Sequence, residues 1–209
     1  MKVTSVEVQK KNKNRVSIFL DGEYAFSLDG ADALRLGIKT GKELTEDDVR
    51  TCLEECEYSK AREKAFDIIS RKLVSAKELR SALADKGYDG ITADRTVEEM
   101  ESFGYIDDAN YAEMFLEHCR AKIWGKRKIV YELGQKGIGS EIISELSEKI
   151  DSLYDDGELA DAIVMRYGAY DLNDIKIKAK ITRYFASRGF DFSDINAAIC
   201  RAKEELSDE

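Results

Sequence analysis

Three stretches of the chain share one pattern: LRSALADKGY at residues 79–88, IVYELGQKGI at 129–138 and ITRYFASRGF at 181–190. In each, apolar residues stand eight and four positions before a glycine, and a basic residue directly precedes that glycine. Apolar residues at this spacing share one face of a helix, and glycine readily adopts the left-handed conformation just after a helix ends. The basic residue suits the negative end of the helix. We therefore predict three helices that end alike.

The spacing of the pattern indicates stacked structural units. The three glycines lie 50 and 52 residues apart, and such self-similarity is typical of units that contact mainly their neighbours. Helical periodicity around each glycine predicts three-helix units at 59–107, 108–156 and 157–209. The predicted fold is mainly α, with tandem three-helix bundles in an elongated, curved array. The helices are expected near 59–72, 75–86 and 92–104, near 108–122, 126–136 and 140–153, and near 157–169, 173–188 and 192–206.

Residues 1–58 follow a different pattern. Apolar residues alternate with others along 16–20 and again along 24–28, which is the period of a strand. The Asp21-Gly22 pair between these runs is a strong hairpin signal. Valines at positions 6 and 8 suggest a further strand. We predict a small N-terminal antiparallel sheet of about three strands, followed by short helices.

Two helix starts can be read directly from the sequence. Thr45 is a suitable cap for a helix that runs to about residue 57, and the acidic residues after it favour the positive helix end. Ser75 with Glu78 has the spacing of a capping box.

The composition excludes several protein classes. The chain has 209 residues, no proline and a formal net charge of −9. No apolar run approaches the ~18 residues of a membrane helix, and the N-terminal sequence lacks the features of a secretory signal. We expect a cytoplasmic protein without membrane contact. Its four cysteines are expected to be reduced and mostly buried, because disulfides are rare in the cytosol.

No motif predicts catalysis. The single histidine, His118, has no second histidine with which to form a metal site or a triad. WGKRK at 124–128 lacks the first glycine and the Ser or Thr of a phosphate-binding loop. DKGYDGITADRTVEE fails as a calcium loop, because Gly87 and Thr96 stand where ligands are needed. We expect no enzyme activity, no cofactor and no metal.

Positive charge is concentrated in this acidic chain. Residues 120–138 hold six basic residues and one acidic residue, 71–86 hold five and two, and 172–190 hold five and one. In contrast, 139–161 hold eight acidic residues and one lysine. One interpretation is a set of solvated helix faces. The other is a positive stripe that follows a phosphate backbone or an acidic protein surface.

The strongest stretch contains the candidate contact residues. They are Arg120, Lys122, Trp124, Lys126, Arg127, Lys128 and Lys136. Trp124 and Tyr131 lie among the basic residues and suit stacking or cation–π contact. Both could equally be core residues, and we favour the core for Tyr131.

The segment FGYIDDANYAEMFLEHCRAKIWGKRKIVYELGQKGIGSEII resembles the central motif of the RecX family, the bacterial regulators of the RecA recombinase. The resemblance extends over about 59–206 and is most specific at 103–143. The matching residues are Gly104, Tyr105, Ile106, Asp107, Asp108, Tyr111, Ala112, Arg120, Gly125, Ile129, Leu133, Lys136, Gly137 and Ile138. Asp107 and Asp108 begin a predicted helix, so we interpret them as capping residues. Tyr111, Ala112, Gly125 and Gly137 are likewise interpreted as structural.

The resemblance implies a function. Proteins of this family bind RecA or its filament on single-stranded DNA and mostly inhibit its ATPase, strand-exchange and co-protease activities, which belong to DNA repair. The basic stripe would then assist binding along the filament by a monomer. A second hypothesis is a direct DNA-binding protein that affects RecA only by competing for DNA. A third is a helical scaffold for another partner.

Overall fold

The computed structural model describes residues 1–154 and 157–207. The chain divides into two compact units, Met1–Ile106 and Asp107–Glu209. The predicted fold class is confirmed: tandem three-helix bundles follow a small N-terminal antiparallel sheet. The expected boundary at residue 156 and the last two residues lie outside the described part. The division of the chain into four parts stays a prediction.

The first unit begins with the predicted sheet, in the order β1-β2-β3. Its strands are β1 (Val3–Val8), β2 (Arg15–Leu20) and β3 (Glu23–Asp29). Asp21 and Gly22 join β2 and β3 with φ angles of 49° and 92°. Two consecutive positive φ angles are what a tight hairpin turn of this hand requires. One face of the sheet packs on the first part of a long helix, through a core that includes Ile18, Phe26 and Cys52.

That helix corrects one expectation. We expected one helix to end near residue 57 and another to begin near 59, but α2 is a continuous helix of 24 residues, Glu46–Ile69. Nothing in the sequence breaks the helix there, because this stretch contains neither glycine nor proline. Its first half covers the sheet and its second half enters the next core. The predicted Thr45 cap is confirmed, since Thr45 and Asp48 form a reciprocal capping box.

The remaining helices of the first unit are α1 (Gly30–Arg35), α3 (Ala76–Ala84) and α4 (Gly90–Ser102). The second half of α2, α3 and α4 form the first three-helix bundle. The capping box of Ser75 and Glu78 is confirmed. Leu79, Leu83 and Met100 are completely buried in the core of this bundle.

The second unit contains two further three-helix bundles. Its helices are α5 (Asp108–Ala121), α6 (Lys126–Gln135), α7 (Ser140–Glu145), α8 (Ser147–Asp151), α9 (Glu158–Tyr167), α10 (Ile175–Ser187) and α11 (Phe192–Ser207). The single helix expected at 140–153 is wrong, because the helix is interrupted at Leu146 to give α7 and α8. Leu146 is buried in the core of its bundle.

The three repeated helices end as predicted. Gly87, Gly137 and Gly189 have φ angles of 90°, 86° and 91°. Each follows the C-cap region of its helix, where a left-handed residue allows the last carbonyls to accept hydrogen bonds. The apolar pairs that precede them, such as Ile129 and Leu133, are completely buried.

Two smaller expectations have different outcomes. Tyr131, which we favoured as a core residue, is 63% exposed, so that interpretation is wrong. It lies two positions from both Ile129 and Leu133, on the opposite face of α6. The cysteines are free, and three of the four are buried, with Cys200 exposed.

Candidate functional site

The predicted motif begins with a helix cap. Asp107 is the N-cap of α5, and its Oδ1 accepts hydrogen bonds from the backbone N–H groups of Ala109 and Asn110 at 2.9 and 3.0 Å. Asp108 follows in the first turn, where a carboxylate favours the positive helix end. Tyr111 and Ala112 are buried in the core of the second bundle. These four residues therefore build the helix that carries the candidate site.

The end of α5 has an unusual backbone. Ile123 has a φ of 52°, in the left-handed region where other helices of this chain place glycine. The Ile123 N–H donates to the Arg120 carbonyl and the Trp124 N–H to the Cys119 carbonyl, at 2.9 and 3.1 Å. A β-branched residue in this region is strained and persists only where its surroundings hold it. Here the Ile123 side chain packs against the core of the third bundle.

Gly125 lies at a close contact between two bundles. Its N–H donates to the Arg188 carbonyl at 2.8 Å, and the Arg127 N–H donates to the Gly189 carbonyl at 3.2 Å. The start of α6 thus meets the end of α10, so free N–H groups at one helix end satisfy carbonyls at another. A Cβ at Gly125 would lie 2.5 Å from the backbone of Gly189. Only glycine fits at this contact.

Most of the candidate basic residues form ion pairs within the chain. Two acidic partners come from the stretch that follows α6, one is the residue just before α11, and one lies on α6 itself. The pairs are Arg120 with Glu158 at 2.5 Å, Lys126 with Asp151 at 2.6 Å, Arg127 with Asp191, and Lys128 with Glu132 at 3.9 Å. The basic stretch and the acidic stretch of the sequence therefore partly neutralise each other.

Trp124 lies between two lysines. The ammonium groups of Lys122 and Lys128 are 5.0 and 4.8 Å from the centre of its ring. Its edge packs on Phe115 and on His118, whose ring centres are 6.3 and 5.8 Å away. The lone histidine is thus part of an aromatic cluster that supports Trp124.

The Tyr154 side chain contacts the backbone at the end of α5. Its hydroxyl lies within hydrogen-bonding distance of the carbonyls of Cys119 and Trp124, at 3.1 and 3.0 Å. Burial raises the pKa of Tyr154 to about 12, so the hydroxyl keeps the proton that it donates. Burial also raises the pKa of the Cys119 thiol to about 12, which makes it a poor nucleophile.

An open cleft lies between the end of α5 and the end of α10. Its volume is about 570 Å³, and it is lined by Ala121, Lys122, Ile123, Trp124, Tyr184 and Arg188. Arg188 donates to the Lys122 carbonyl, and its guanidinium lies 4.7 Å from the centre of the Tyr184 ring. These lining residues include two cations and two aromatic rings but no carboxylate. We call this the aromatic cleft.

The basic face of α10 continues from this cleft. Lys176, Lys180 and Arg183 are exposed, and no carboxylate of residues 1–154 or 157–207 forms an ion pair with them. Arg166 of α9 lies 4.3 Å from the Tyr184 ring centre, and Lys180 lies 5.6 Å from that of Tyr170. Sequence reasoning counted the charge of this stretch but named none of these residues as contacts.

A second, larger cleft of about 710 Å³ also lies at the contact between Gly125 and Gly189, but other side chains line it. Its lining residues include Asp151, Asp191 and Asp194 together with Lys126 and Arg201. We call this the mixed cleft, since carboxylates outnumber cations there. The remaining candidates are more distant along α6: Lys136 is its C-cap and Gly137 is the left-handed residue after it.

Comparison with known proteins identifies the family. A protein from Clostridium beijerinckii named regulatory protein RecX is 33% identical over 192 residues, which cover 90% of each chain. The chain belongs to the RecX family. Another relative with the same name, from Clostridium botulinum, is 31% identical and covers 96% of each chain.

Four RecX family models match the chain in order. They are described as the regulatory protein RecX N-terminal domain at 1–45, and the first, second and third three-helix domains of RecX at 61–100, 107–146 and 159–199. The aromatic cleft therefore lies between the second and third RecX three-helix domains.

Two solved structures share the fold. One, a crystal structure of regulatory protein RecX, superimposes with a TM-score of 0.74 at 23% identity and covers 100% of this chain and 99% of that one. RecX from Lactobacillus salivarius gives a TM-score of 0.58 at 22% identity and covers 70% of this chain and 97% of that one.

Two kinds of feature are absent from the described residues. In residues 1–154 and 157–207, no helix combines the length and apolar character of a membrane span. Within the same ranges, no group of His, Cys, Asp and Glu side chains is arranged to hold a metal ion.

Proposed function

We propose that this protein binds the RecA filament on single-stranded DNA and modulates, mostly by inhibition, its ATPase, recombinase and co-protease activities. The observation that carries the proposal is membership of the RecX family along almost the whole chain, with all four family domains in order. A protein that acts on such a filament needs to contact protein, DNA or both. Domains in series, each with its own exposed basic residues, suit a repeating partner.

The electrostatics of the second unit support a contact with phosphates or an acidic surface. Exposed Lys122, Lys180 and Arg183 concentrate positive charge on a chain whose formal charge is −9. Local charge of this kind attracts polyanions in spite of the net charge. The ion-paired residues Lys126 and Arg127 can add to this contact only if they exchange their carboxylate partners for the ligand.

The test is a titration into the single-stranded-DNA-dependent ATPase of the cognate RecA. We expect inhibition at well below one protein per RecA, which competition for DNA alone does not produce. Inhibition that begins only when the protein saturates the DNA would favour the direct DNA-binding alternative. No effect at any ratio would contradict the proposal.

A variant series locates the contact. Replacing Lys126, Arg127 and Lys128 together by glutamine should weaken inhibition and its dependence on salt. Unchanged inhibition would exclude these three residues as the contact. Lys39, Arg50 and Lys149 together provide a charge-matched control, since they are exposed and lie in other parts of the chain.

The alternative, a protein that binds DNA directly and affects RecA by competition, is favoured by the aromatic cleft. Trp124 and Tyr184 beside Lys122 and Arg188 have the residue types that bind single-stranded nucleic acids. DNA affinity measured without RecA, compared with the ratio at which RecA is inhibited, separates the two functions. Inhibition that appears only where the protein saturates the DNA would support the alternative, whereas inhibition at lower ratios, whatever the DNA affinity, would support the filament regulator.

A further inference from the structure

We propose that the aromatic cleft binds single-stranded DNA, with a base against Trp124 and Tyr184 and the neighbouring phosphates on Lys122, Arg188 and the basic face of α10. The choice of DNA as the nucleic acid rests on the proposed function. The location and the mode of binding rest on the geometry of the second unit.

The two aromatic rings provide the surface for a base. Trp124 and Tyr184 are both partly exposed and line the same cleft, although they come from different bundles. Aromatic side chains in a basic groove are the usual platform on which successive unpaired bases stack. The guanidinium of Arg188, at 4.7 Å from the Tyr184 ring centre, adds a further planar group on which a base can stack.

The cations around the cleft are available to phosphates. Lys122 is exposed, and no carboxylate of residues 1–154 or 157–207 lies within ion-pair distance of its ammonium group, which faces the Trp124 ring at 5.0 Å instead. A long, exposed lysine can move from a ring face to a phosphate, a stronger partner for its charge. Lys180 and Arg183 add further exposed positive charge along α10.

The strained backbone at Ile123 is an independent observation at the same place. Its φ of 52° puts a β-branched residue in the conformation that glycine adopts after α3, α6 and α10. Strained residues of this kind are concentrated at functional sites, where the fold holds a ligand-binding geometry. Ile123 lines the cleft and lies between Lys122 and Trp124, so its conformation determines where these two side chains project.

The observations favour a single strand over the other polyanions. A duplex keeps its bases stacked and paired, so it could use the cations but not the two rings. An acidic peptide would likewise use only the charges. The combination of rings and cations in one cleft therefore indicates an unpaired base with its phosphates.

Trp124 reports on the cleft directly, because it is the single tryptophan of the chain. The full-length protein, without RecA, is titrated with a thymidine 20-mer while tryptophan emission is recorded, and the anisotropy of a labelled 20-mer measures binding in parallel. We expect saturable quenching with the same Kd as the anisotropy. Binding without any change in emission would place the DNA elsewhere and overturn the proposal.

Two matched double variants test the charges. Lys122→Gln with Arg188→Gln removes two cations from the aromatic cleft, and Lys149→Gln with Arg201→Gln removes two exposed cations of the same unit that do not line this cleft. The first pair should raise Kd on the order of tenfold and reduce the slope of log K against log salt by about 1.4, since each phosphate contact contributes about 0.7 for single strands. The second pair should change Kd less than twofold. Equal effects of the two pairs would overturn the proposal, provided that thermal unfolding shows all variants folded.

A third variant tests the rings. Tyr184→Leu keeps an apolar side chain against the core but removes the aromatic face, and we expect Kd to rise about fivefold or more with an unchanged salt slope. A duplex of the same length and polyglutamate should each bind at least tenfold more weakly and leave the emission unchanged. Polyglutamate that competes as well as the 20-mer would identify the cleft as a site for acidic protein instead.

The same proteins in the RecA ATPase assay separate this inference from the proposed function. Quenching by DNA without any effect on RecA would contradict the regulator and leave the cleft intact. Inhibition of RecA without quenching would contradict the cleft and leave the regulator intact.

Discussion

The basic residues at the start of α6 and those along α10 have similar density in the sequence, yet the fold surrounds them differently. Lys126 and Arg127 of α6 are paired with Asp151 and Asp191. On α10, Lys176, Lys180 and Arg183 have no carboxylate partner among residues 1–154 and 157–207. The stretch around α6 is the more basic of the two in sequence, yet in the folded protein more of its charge is neutralised.

The difference shows that local charge density does not by itself locate a polyanion-binding surface. Lys126 and Arg127 find acidic partners 25 and 64 positions further along the chain, which the contact between Gly125 and Gly189 brings near. Exposed ion pairs of this kind contribute only about 0–1 kcal/mol each, so they can open for a ligand. Breaking these ion pairs still reduces the net free energy of binding a polyanion. The basic residues of α10 avoid this loss.

The largest effect is expected where the two regions touch. Gly125→Ala places a Cβ 2.5 Å from the Gly189 backbone, and we expect a loss of about 3 kcal/mol in the free energy of unfolding, as for overpacked cores. Urea denaturation followed by circular dichroism measures it. Gly134→Ala is the matched control on the same helix. No atom lies within 4 Å of its added Cβ, so it should stabilise by roughly 0.5–1 kcal/mol. Equal stability of both variants would contradict the close contact.

A third arrangement of basic residues, in the first unit, sharpens the comparison. Glu55 is buried and forms ion pairs with Arg35 at 2.6 Å and with Arg95 at 2.7 Å. Burial alone would raise the pKa of Glu55, but the hydrogen bonds and charges of Arg95 and Arg35 outweigh it and hold the pKa below its usual range. We expect Glu55→Gln to destabilise by about 2 kcal/mol at pH 7, more than the loss of an exposed pair, because two charge-assisted hydrogen bonds are lost.

The dependence of this effect on pH has a definite sign. A carboxylate with a lowered folded pKa stabilises fully above its unfolded pKa of about 4.3, and that stability is lost as the pH falls through the folded pKa. The difference between wild type and Glu55→Gln should therefore be constant from pH 6 to pH 8 and should shrink below about pH 4. Glu57→Gln on the same helix is the exposed control, for which we expect less than about 0.5 kcal/mol. A difference that grows on acidification would contradict the arrangement.

Local features of the fold could be predicted, because they depend on a few neighbouring residues. The capping boxes at Thr45 and Ser75, the Asp21-Gly22 turn and the left-handed glycines follow from short-range chemistry, and all were found. The continuity of α2 was missed although the sequence contains no helix breaker near residue 58. The change from strand period to helical period predicts a boundary near residue 58, whereas one helix serves both cores.

The candidate site was predictable only in part. Trp124 and Lys122 are among the candidates predicted from the sequence, and both line the aromatic cleft, but Tyr184 and Arg188 join them there from about sixty residues later. Pairing of that kind depends on tertiary contacts that no spacing in the sequence records. Ile123 carries no sequence signal either, because isoleucine is among the residues least suited to a left-handed conformation.

The third prediction compares the two basic helices by DNA affinity. Lys176, Lys180 and Arg183 are replaced together by glutamine in one protein, and Lys126, Arg127 and Lys128 in another, so that both lose three charges. We expect the α10 variant to bind a thymidine 20-mer about tenfold more weakly. Its slope of log K against log salt should fall in magnitude by about 2, and that of the α6 variant by less than about 1. Fluorescence anisotropy from 50 to 300 mM salt measures both. A larger loss in the α6 variant would reverse the comparison.

The smallest effect concerns the ion pair that neutralises α6. Arg127 and Asp191 are 66% and 49% exposed, so solvent screens their attraction. We expect a double-mutant cycle with Arg127→Gln and Asp191→Asn to give a coupling energy of about 0.5 kcal/mol in low salt and nearly zero at 1 M salt.

The same ion pair should have a stronger effect on DNA binding. Asp191→Asn frees Arg127 for a phosphate, so the variant should bind the 20-mer severalfold more tightly in low salt. Asp194→Asn is the control, since it removes a nearby carboxylate without freeing Arg127. If Asp191→Asn and Asp194→Asn tighten binding equally, then general repulsion by the carboxylates, and not the pairing of Arg127, limits the contribution of α6.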